Sequence, residues 1–410
     1  MARLKNVLTV ILAGGRGDRL QPLTQERAKP AVPFGGKYRI IDFTLSNCIN
    51  SSLRKVVVLI QYKSQSLDRH LQLAWNLLNP ELHEYIMAVP PQQRISQDWY
   101  RGTADAVRQN MFIIKDEDPD FVFVLSGDHV YTMDYGEMYN FALRQGTEAV
   151  VGAIPVPLKD ASRFGILTVD EEYRILRFDE KPKHARPIPG KPTHALASMG
   201  IYLFNTSILR WYLEEDTRKK SSHDFGRDIL PQMVADRPVF AYPFEDPKSH
   251  AQHYWRDIGT LDAYWEANMD LVAVNPPFNL YDQSWPLRTY QGQFPPAKFV
   301  FADDPDTKKG RIGHALDSIV SGGCIISGSM VQNCVLSPAV HVDNYAEVRD
   351  SILMENVIVG KRAKIKRAII DKGVTIPPGT HIGYDLKADA ERFTVTESGL
   401  VAISKGMKLK

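Results

Sequence analysis

A 17-residue repeat in the last quarter of the chain is the feature that most restricts its fold. Steps of 6, 6 and 5 residues from Ile319 reach an apolar residue at twelve successive positions. The positions form three columns: Ile319, Leu336, Leu353 and Ile370; Ile325, Val342, Val359 and Ile376; Val331, Val348, Ile365 and Ile382. Three inward residues per turn of about 18 are typical of a three-sided parallel β-helix, so we predict about four stacked coils.

The first two-thirds of the chain predicts a different architecture, and a length of 410 residues favours two domains. Short apolar runs alternate there with segments that carry apolar residues at helical spacing. The runs predict buried parallel strands at residues 7–13, 55–61 and 121–126. The other segments predict helices at 67–78 and 104–114, with Thr103 as the N-cap of the second helix. This alternation indicates a doubly wound α/β sheet.

A proline-rich segment separates the two parts of the chain. Its prolines interrupt a stretch rich in aromatic and polar residues, and they stand at positions 276, 277, 286, 295 and 296. Such a composition is typical of a linker. We therefore predict an α/β domain over residues 1–274, a linker over 275–312 and a β-helix domain over 313–410.

Charge and cysteine content exclude several classes of function. Lys and Arg number 50 against 48 Asp and Glu, a balance that argues against a general nucleic-acid or anionic-membrane binder. The three cysteines, Cys48, Cys324 and Cys334, lack disulfide or metal-site spacing, so we expect buried thiols. No apolar stretch approaches the roughly 20 residues that span a bilayer, and the run at 7–13 lacks a cleavage site. We expect a cytoplasmic protein that binds neither nucleic acid nor membrane.

A glycine-rich segment follows the first predicted strand. Residues 13–20 read Ala-Gly-Gly-Arg-Gly-Asp-Arg-Leu, and Lys29-Pro30 follows. Glycines let backbone N–H groups approach phosphate oxygens closely, and Arg16, Arg19 and Lys29 can neutralise phosphate charge. The segment is neither a Walker A loop nor a dinucleotide-binding fingerprint, and a simple strand-to-helix turn remains an alternative.

Two acidic residues stand where a metal ion is needed. Asp128 follows the strand predicted at 121–126, and Asp257 lies in the segment Tyr-Trp-Arg-Asp-Ile-Gly-Thr at 254–260. Ligands of open α/β sheets bind beyond the carboxyl ends of the strands, and carboxylates suit Mg²⁺. A lone Asp after a strand is more often a cap or turn residue. Two carboxylates from distant segments, however, could share one Mg²⁺ that also holds nucleotide phosphates.

Six motifs together resemble those of the bacterial glucose-1-phosphate adenylyltransferase family, also called ADP-glucose pyrophosphorylases, and the match runs in order from about residue 5 to 405, including the β-helix. The motifs lie at residues 12–20 with 29–30, 99–105, 126–129, 178–182, 198–200 and 254–259. Each motif is short, but the ordered set is highly specific. The resemblance implies a Rossmann-like doubly wound nucleotidyltransferase domain, followed by a left-handed parallel β-helix for regulation and oligomerisation. It also implies the reaction of ATP with α-D-glucose 1-phosphate to ADP-glucose and diphosphate, for glycogen or other α-glucan synthesis.

The resemblance implies a role for each matching residue. The residues that match the ATP-phosphate motif are Gly14, Gly15, Arg16 and Lys29. Gly102 and Thr103 match a loop near the adenine and its sugar. Asp128 and Asp257 match the Mg²⁺-binding pair, and together with Arg16 and Lys29 they form the implied catalytic set. The positions that match glucose 1-phosphate ligands are Tyr100, Gly165, Glu180, Lys181 and Ser198.

The implied chemistry needs no protein nucleophile. The attacking phosphate oxygen is already ionised near neutral pH, so the enzyme must mainly align two polyanions and stabilise the departing diphosphate. Cations and Mg²⁺ suit that task. We therefore expect His129, next to Asp128, to be a hydrogen-bonded structural residue rather than a general base.

The resemblance also implies a homotetramer controlled by small anionic metabolites. Arg27 and Arg39 match basic positions of the regulatory region. A basic run in the predicted β-helix could supply further anion ligands, although a solvated β-helix face is the alternative. The run comprises Lys361, Arg362, Lys364, Lys366 and Arg367. Glu26 replaces a lysine of the members that respond to fructose 1,6-bisphosphate. We therefore expect a monophosphate such as fructose 6-phosphate, or a small phosphorylated acid, to activate better.

Two other functions compete with an active enzyme. One is a catalytically impaired regulatory subunit that binds nucleotide sugars, and the other is a bifunctional enzyme whose β-helix transfers acyl groups. Intact Asp128, Lys181 and Asp257 favour activity. Only His341 and His381 lie within the predicted coils, which disfavours acyl transfer.

Overall fold

The computed structural model describes residues 6–92, 99–245, 252–302 and 311–409. The strands of the first part are β1 Val7–Leu12, β2 Pro33–Phe34, β3 Tyr38–Arg39, β4 Lys55–Leu59, β5 Tyr85–Val89, β6 Phe121–Ser126, β7 His129–Tyr131, β8 Ala149–Pro157, β9 Gly165–Val169, β10 Ile175–Glu180, β11 His194–Asn205, β12 Phe240–Pro243 and β13 Trp255–Asp257. Its helices are α1 Ile40–Asn50, α2 Gln65–Ala74, α3 Thr103–Gln109, α4 Met111–Glu117, α5 Tyr135–Gln145, α6 Thr206–Asp216, α7 Leu230–Asp236 and α8 Leu261–Val272.

Nine of these strands form a mixed sheet with apolar residues buried on both faces. Its main path runs β10-β9-β11-β6-β1-β4-β5, and β8 joins β11 to β12. Strands β4, β1 and β6 are parallel neighbours, whereas β11 is antiparallel to β6. The three predicted strands are confirmed as β1, β4 and β6, with ends shifted by at most two residues.

The predicted helices differ from the observed ones at their ends. The segment at 104–114 forms two helices, because Asn110 leaves the helical conformation and its side chain donates to the Ala106 carbonyl at 2.8 Å. The N-cap of α3 is Gly102, so the assignment of Thr103 as the cap is wrong. The hydroxyl of Thr103 instead accepts the Phe225 N–H at 3.0 Å, and this interaction between distant segments outweighs the local preference for a cap.

The second part of the chain is a parallel β-helix. Its strands are β14 Lys298–Ala302, β15 Arg311–Ile312, β16 His314–Leu316, β17 Ile319–Val320, β18 Ile325–Ser327, β19 Met330–Gln332, β20 Val335–Leu336, β21 His341–Val342, β22 Glu347–Arg349, β23 Ile352–Leu353, β24 Ile358–Val359, β25 Lys364–Lys366, β26 Ala368–Ile370, β27 Thr375–Ile376, β28 His381–Ile382, β29 Thr394–Val395 and β30 Val401–Ile403. They form three sheets, and helix α9, Leu386–Ala390, precedes the last two strands.

The columns predicted from the repeat are correct except in the first coil. Ten of the twelve predicted residues are fully buried, but Ile325 is 37% exposed and its neighbour Ile326 is buried instead. Ile326 pairs with Val342 and Val320 pairs with Leu336, so these two columns step by 16 residues into the second coil. In the third column Val331 pairs with Val348, at the predicted step of 17. The assignments of Ile319 and Ile325 were wrong because an apolar residue follows each of them, and periodicity alone cannot distinguish the neighbours.

The β-helix begins before residue 313 and packs against the α/β part. Residues 273–297 contain neither helix nor strand, but β14, inside the range predicted as a linker, pairs in parallel with β18. One apolar cluster joins the two parts, for example through Tyr264 of α8 and Ile352 of β23. The cysteines Cys48, Cys324 and Cys334 are buried, unbridged thiols, as predicted.

Among the described residues, no helix combines the length and apolar character that crossing a membrane requires.

Candidate active site

One line across the large sheet carries most of the predicted site residues. The ends of β10, β9, β6 and β1 lie side by side with the irregular middle of β11. The register pairs that define this line are Glu180 with Gly165, Ile166 with Ala197, Leu125 with Ile201, and Ser126 with Leu12. Segments from five strands therefore present their side chains along a single edge of the sheet.

Asp128 and Asp257 meet at this edge around the ammonium group of Lys29. Asp128 follows β6, and Asp257 ends β13, whose antiparallel pairing with β7 sets Asp257 opposite His129. Lys29 donates to Asp128 Oδ2 at 2.8 Å and to Asp257 Oδ1 at 3.1 Å. The structure thus brings both carboxylates together and places between them a lysine predicted for the phosphate motif.

The charges of this cluster stabilise one another. Burial alone would lower the pKa of Lys29, but the carboxylates of Asp128 and Asp257 raise it above its usual value. Burial alone would raise the pKa of Asp128, but Lys29 above all holds it well below its usual range. The Ser126 hydroxyl also donates to Asp128 Oδ1. Lys29 and Asp128 therefore form an ion pair of mutually stabilised charges, and Asp257 is the second acceptor of the ammonium.

His129 lies beside the pair without a hydrogen bond to either carboxylate. Its Nε2 is 3.5 Å from Asp128 Oδ1 and 3.9 Å from Asp257 Oδ1, and its ring meets Trp255 edge-on at a centroid distance of 5.0 Å. Its buried Nδ1 has no partner among the described residues. The expected hydrogen bonds of a structural histidine are therefore not found in the described part of the chain. One atom each of Asp128, His129 and Asp257 lies within 4.8 Å of the others, a donor set that could hold a cation.

The glycine-rich segment begins where β1 ends, beside the carboxylate pair. Gly15 is exposed, and Gly14 lies against the side chain of Gln61. The guanidinium of Arg16 is exposed and lies 5.9 Å from the centre of the Tyr62 ring. Backbone N–H groups and one arginine are thus presented at the same edge as Lys29, an arrangement suited to a polyphosphate.

The residues predicted for the sugar phosphate lie on the other half of the line. Glu180 accepts from the ammonium of Lys181 at 2.7 Å, and the Lys181 side chain is 52% exposed. Ser198 accepts the Gly200 N–H at 3.3 Å, where the register of β11 changes. Gly200 in turn lies next to the His129 ring, so this half of the line adjoins the carboxylate pair.

Tyr100 and Gly102 precede α3, which begins at Thr103, and residues 222–226 contact Gly102 and Thr103. A Cβ atom at Gly102 would lie 2.2 Å from the His223 carbonyl oxygen, so only glycine fits. Asn110 donates to the Tyr100 hydroxyl at 2.9 Å and thereby orients the ring.

Asp224, which no sequence motif indicated, lies among the predicted site residues. It accepts from the Thr103 hydroxyl at 2.9 Å and caps the helical turn that follows through the Gly226 N–H, also at 2.9 Å. A Cβ atom at Gly226 would lie 2.6 Å from Glu180 Oε2. Asp224 therefore links the loop predicted for the nucleotide to the residues predicted for the sugar. The sequence signal was an N-cap Asp before a helical segment, which alone indicates only a helix start.

The predicted regulatory residues lie at the junction with the β-helix, and the contacts described for them are with residues outside the basic run. Arg27 is buried and donates to both carboxylate oxygens of Asp371, at 2.8 and 2.7 Å. The described contacts of the run lie elsewhere: Lys361 and Arg362 over Tyr345, Lys364 beside Glu347, and Arg367 over Trp265. A basic run that supplies further anion ligands beside Arg27 and Arg39 therefore stays a prediction, and Arg27 is paired with the buried carboxylate of Asp371 in this structure.

Arg39 lines a cavity of about 640 Å³ between the two parts of the chain. It donates to the carbonyl and hydroxyl of Ser66 at 2.8 and 2.9 Å. Burial lowers the pKa of Arg39 and also that of Lys372 from the β-helix, and mutual repulsion with Arg27 contributes to both shifts. The charged groups of the lining are Lys37, Arg39, Lys372, Asp282 and Glu355. Glu26 instead pairs with Lys405 at 2.7 Å beside a separate, smaller cavity.

The sequence matches two family models. The model described as nucleotidyl transferase covers residues 8–273, and the one described as GlmU-like C-terminal hexapeptide covers residues 295–403. The second match agrees with a left-handed β-helix built from stacked parallel strands.

Curated relatives match nearly the whole chain. The chain is 54% identical to the glucose-1-phosphate adenylyltransferase of Rhodopirellula baltica over 98% of its own length and 91% of the relative's. It is 52% identical to the protein of that name from Methylococcus capsulatus, over 98% and 93% of the two lengths. It is 51% identical to the protein of that name from an Anaeromyxobacter species, over 99% and 100%.

Proposed function

The chain belongs to the glucose-1-phosphate adenylyltransferase family, and we propose that it joins ATP to α-D-glucose 1-phosphate and releases diphosphate. The observation that carries this proposal is the cluster of Asp128, Asp257 and Lys29 at the sheet edge. On one side of the cluster lies a glycine-rich segment suited to phosphates, and on the other lie Glu180 and Lys181. Two polyanionic substrates can thus meet over one group of charges.

The proposed reaction depends on alignment and charge. Exposed Lys181 binds the sugar phosphate, and its contact with Glu180 sets the position of its ammonium. The backbone of Gly14 and Gly15, with Arg16, binds the ATP phosphates and stabilises the diphosphate as it leaves. The attacking phosphate oxygen is already ionised, so His129 has no proton to remove.

We assign Mg²⁺ to Asp128 and Asp257. Two carboxylates within reach of one cation, at an edge open to solvent, fit a hard divalent ion that retains some of its water. When bound, the ion supplies positive charge to the phosphate oxygens. The same intact residues favour an active enzyme over an impaired regulatory subunit.

We also propose a setting for the reaction. The product is ADP-glucose for glycogen or other α-glucan synthesis, the protein is a cytoplasmic homotetramer, and its activity responds to an anionic metabolite. We place the effector in the cavity beside Arg39, since Lys37, Arg39 and Lys372 line it against two acidic groups. The net charge of these five groups, +1, suits a single phosphate or carboxylate.

The test of the proposed function is diphosphate release from each of the four ribonucleoside triphosphates with glucose 1-phosphate. We expect release with ATP to exceed release with the other three, and to stop when glucose 1-phosphate is omitted. Preferred use of another nucleotide would contradict the assignment of ATP. Absence of release with all four would contradict the proposed reaction.

A further inference from the structure

Lys29 occupies two of the four oxygen atoms that the carboxylate pair offers to a metal ion. Its ammonium bridges Asp128 Oδ2 and Asp257 Oδ1, at 2.8 and 3.1 Å. The remaining oxygen of Asp128 accepts from the Ser126 hydroxyl. The carboxylates of Asp128 and Asp257 therefore already accept hydrogen bonds from Lys29 and Ser126. A metal ion that binds these carboxylates must compete with those donors.

The lysine is held where it can also reach phosphate. Lys29 begins a short helical turn with Pro30 next to it, and its Cβ packs against Gly17 of the glycine-rich segment. The Lys29 side chain is buried, and its ammonium contacts the carboxylates of Asp128 and Asp257. The stem therefore lies at the base of the predicted phosphate site, and the ammonium at the end of its flexible side chain contacts the carboxylate pair.

Charge decides which partner the ammonium has. Two carboxylates and one ammonium leave a net charge of −1, and a divalent ion added alone would face the ammonium across a few ångströms. Nucleotide phosphates bring several negative charges at once, which compensate both cations. We propose that Lys29 is a placeholder cation that keeps divalent metal off the pair until nucleotide phosphates draw its ammonium away. This inference rests on the proposed assignment of the metal to Asp128 and Asp257.

The proposal predicts that removal of the ammonium opens the pair to metal. Mn²⁺ binding, followed by electron paramagnetic resonance without nucleotide, should be at least about tenfold tighter in Lys29→Met than in the wild type. Lys63→Met is the matched control: Lys63 donates to the carbonyls of Thr24 and Gln25 near the glycine-rich segment, and its removal should leave Mn²⁺ affinity unchanged. A non-hydrolysable ATP analogue should tighten Mn²⁺ binding strongly in the wild type and much less in Lys29→Met.

A second measurement uses stability instead of affinity. Without Lys29 the two carboxylates repel each other, so the unfolding midpoint of Lys29→Met should fall and should rise more with added Mn²⁺ than that of the wild type. If the methionine variant does not fold, Lys29→Gln, which keeps a polar donor, serves in both measurements.

The outcomes separate this inference from the assignment on which it rests. Equal Mn²⁺ affinity in the wild type and the Lys29 variants, together with its loss in Asp128→Asn, would overturn the placeholder and retain the metal pair. Mn²⁺ binding that does not depend on Asp128 or Asp257, with and without the nucleotide analogue, would overturn both.

Discussion

Lys29 illustrates how far single residues can be interpreted without a structure. The sequence indicates a cation for phosphate at this position, and it indicates Asp128 and Asp257 for metal, but nothing in it joins the three. They meet only because β13 pairs with β7 and the turn at Lys29–Ala31 lies below the glycine-rich segment. The role of Asp224 likewise depends on a contact with Thr103, 121 residues away. Residue types predict which chemistry a side chain can perform, whereas contacts between distant segments decide which side chains form one site.

Lys181 gives a prediction at this scale. Its ammonium should contact the sugar phosphate in both the ground state and the transition state, so Lys181→Gln should raise the KM for glucose 1-phosphate by about tenfold or more. The kcat and the KM for ATP should change less. Lys183→Gln removes an equal charge from an exposed position two residues away and should have little effect. Steady-state kinetics checks this, and a defect confined to ATP would assign Lys181 to the nucleotide.

At the scale of elements, buried strands were predictable and helix ends were not. Strands β1, β4 and β6 are almost entirely apolar because both faces of the sheet are covered, and such runs are distinctive in a sequence. The sequence predicts one helix where α3 and α4 lie, because the break at Asn110 depends on side-chain hydrogen bonds. One of these bonds is to Tyr100, which precedes α3. The β-helix was predictable from its period, but the one-residue shift in its first coil was not.

The shifted register gives a prediction for neighbouring isoleucines. Ile326→Ala should lower the free energy of unfolding by about 2–5 kcal/mol, because it removes a fully buried side chain from a column. Ile325→Ala, the matched change at a partly exposed position, should cost less than about 1 kcal/mol. Urea denaturation of both variants measures the difference. A larger loss of unfolding free energy in Ile325→Ala than in Ile326→Ala would indicate that Ile325 is the buried residue, as an unbroken 17-residue period requires.

At the scale of the whole molecule, the junction between the two parts is polar as well as apolar. The ion pair of Arg27 with Asp371 is buried there, and such pairs are costly to break because the partner keeps an uncompensated charge. The family resemblance implies an effector role for Arg27, which stays a prediction, and the sequence carries no sign of the carboxylate that pairs with it in the fold. Arg39, which lines the large cavity of the same junction, remains the candidate.

The cavity beside Arg39 gives a prediction about regulation. Fructose 6-phosphate or a small phosphorylated acid should activate the wild type at subsaturating ATP better than fructose 1,6-bisphosphate, with coupling of roughly 5–150-fold. Arg39→Ala should lose most of this response. Arg362→Ala, from the basic run over Tyr345, should keep it. Equal activation of the wild type and Arg39→Ala would eliminate this site, and a loss confined to Arg362→Ala would move the effector to the β-helix face.

Adenylyl transfer over Asp128 and Asp257 is tested by the turnover of their asparagine variants. Each change removes a carboxylate that touches Lys29 and is assigned to Mg²⁺, while the overall shape of the side chain is kept. We predict that Asp128→Asn and Asp257→Asn each lower kcat by at least about a hundredfold, because phosphate charge is left uncompensated. Asp116→Asn, on the exposed face of α4, should retain full turnover. Near-normal turnover in either site variant would contradict the account.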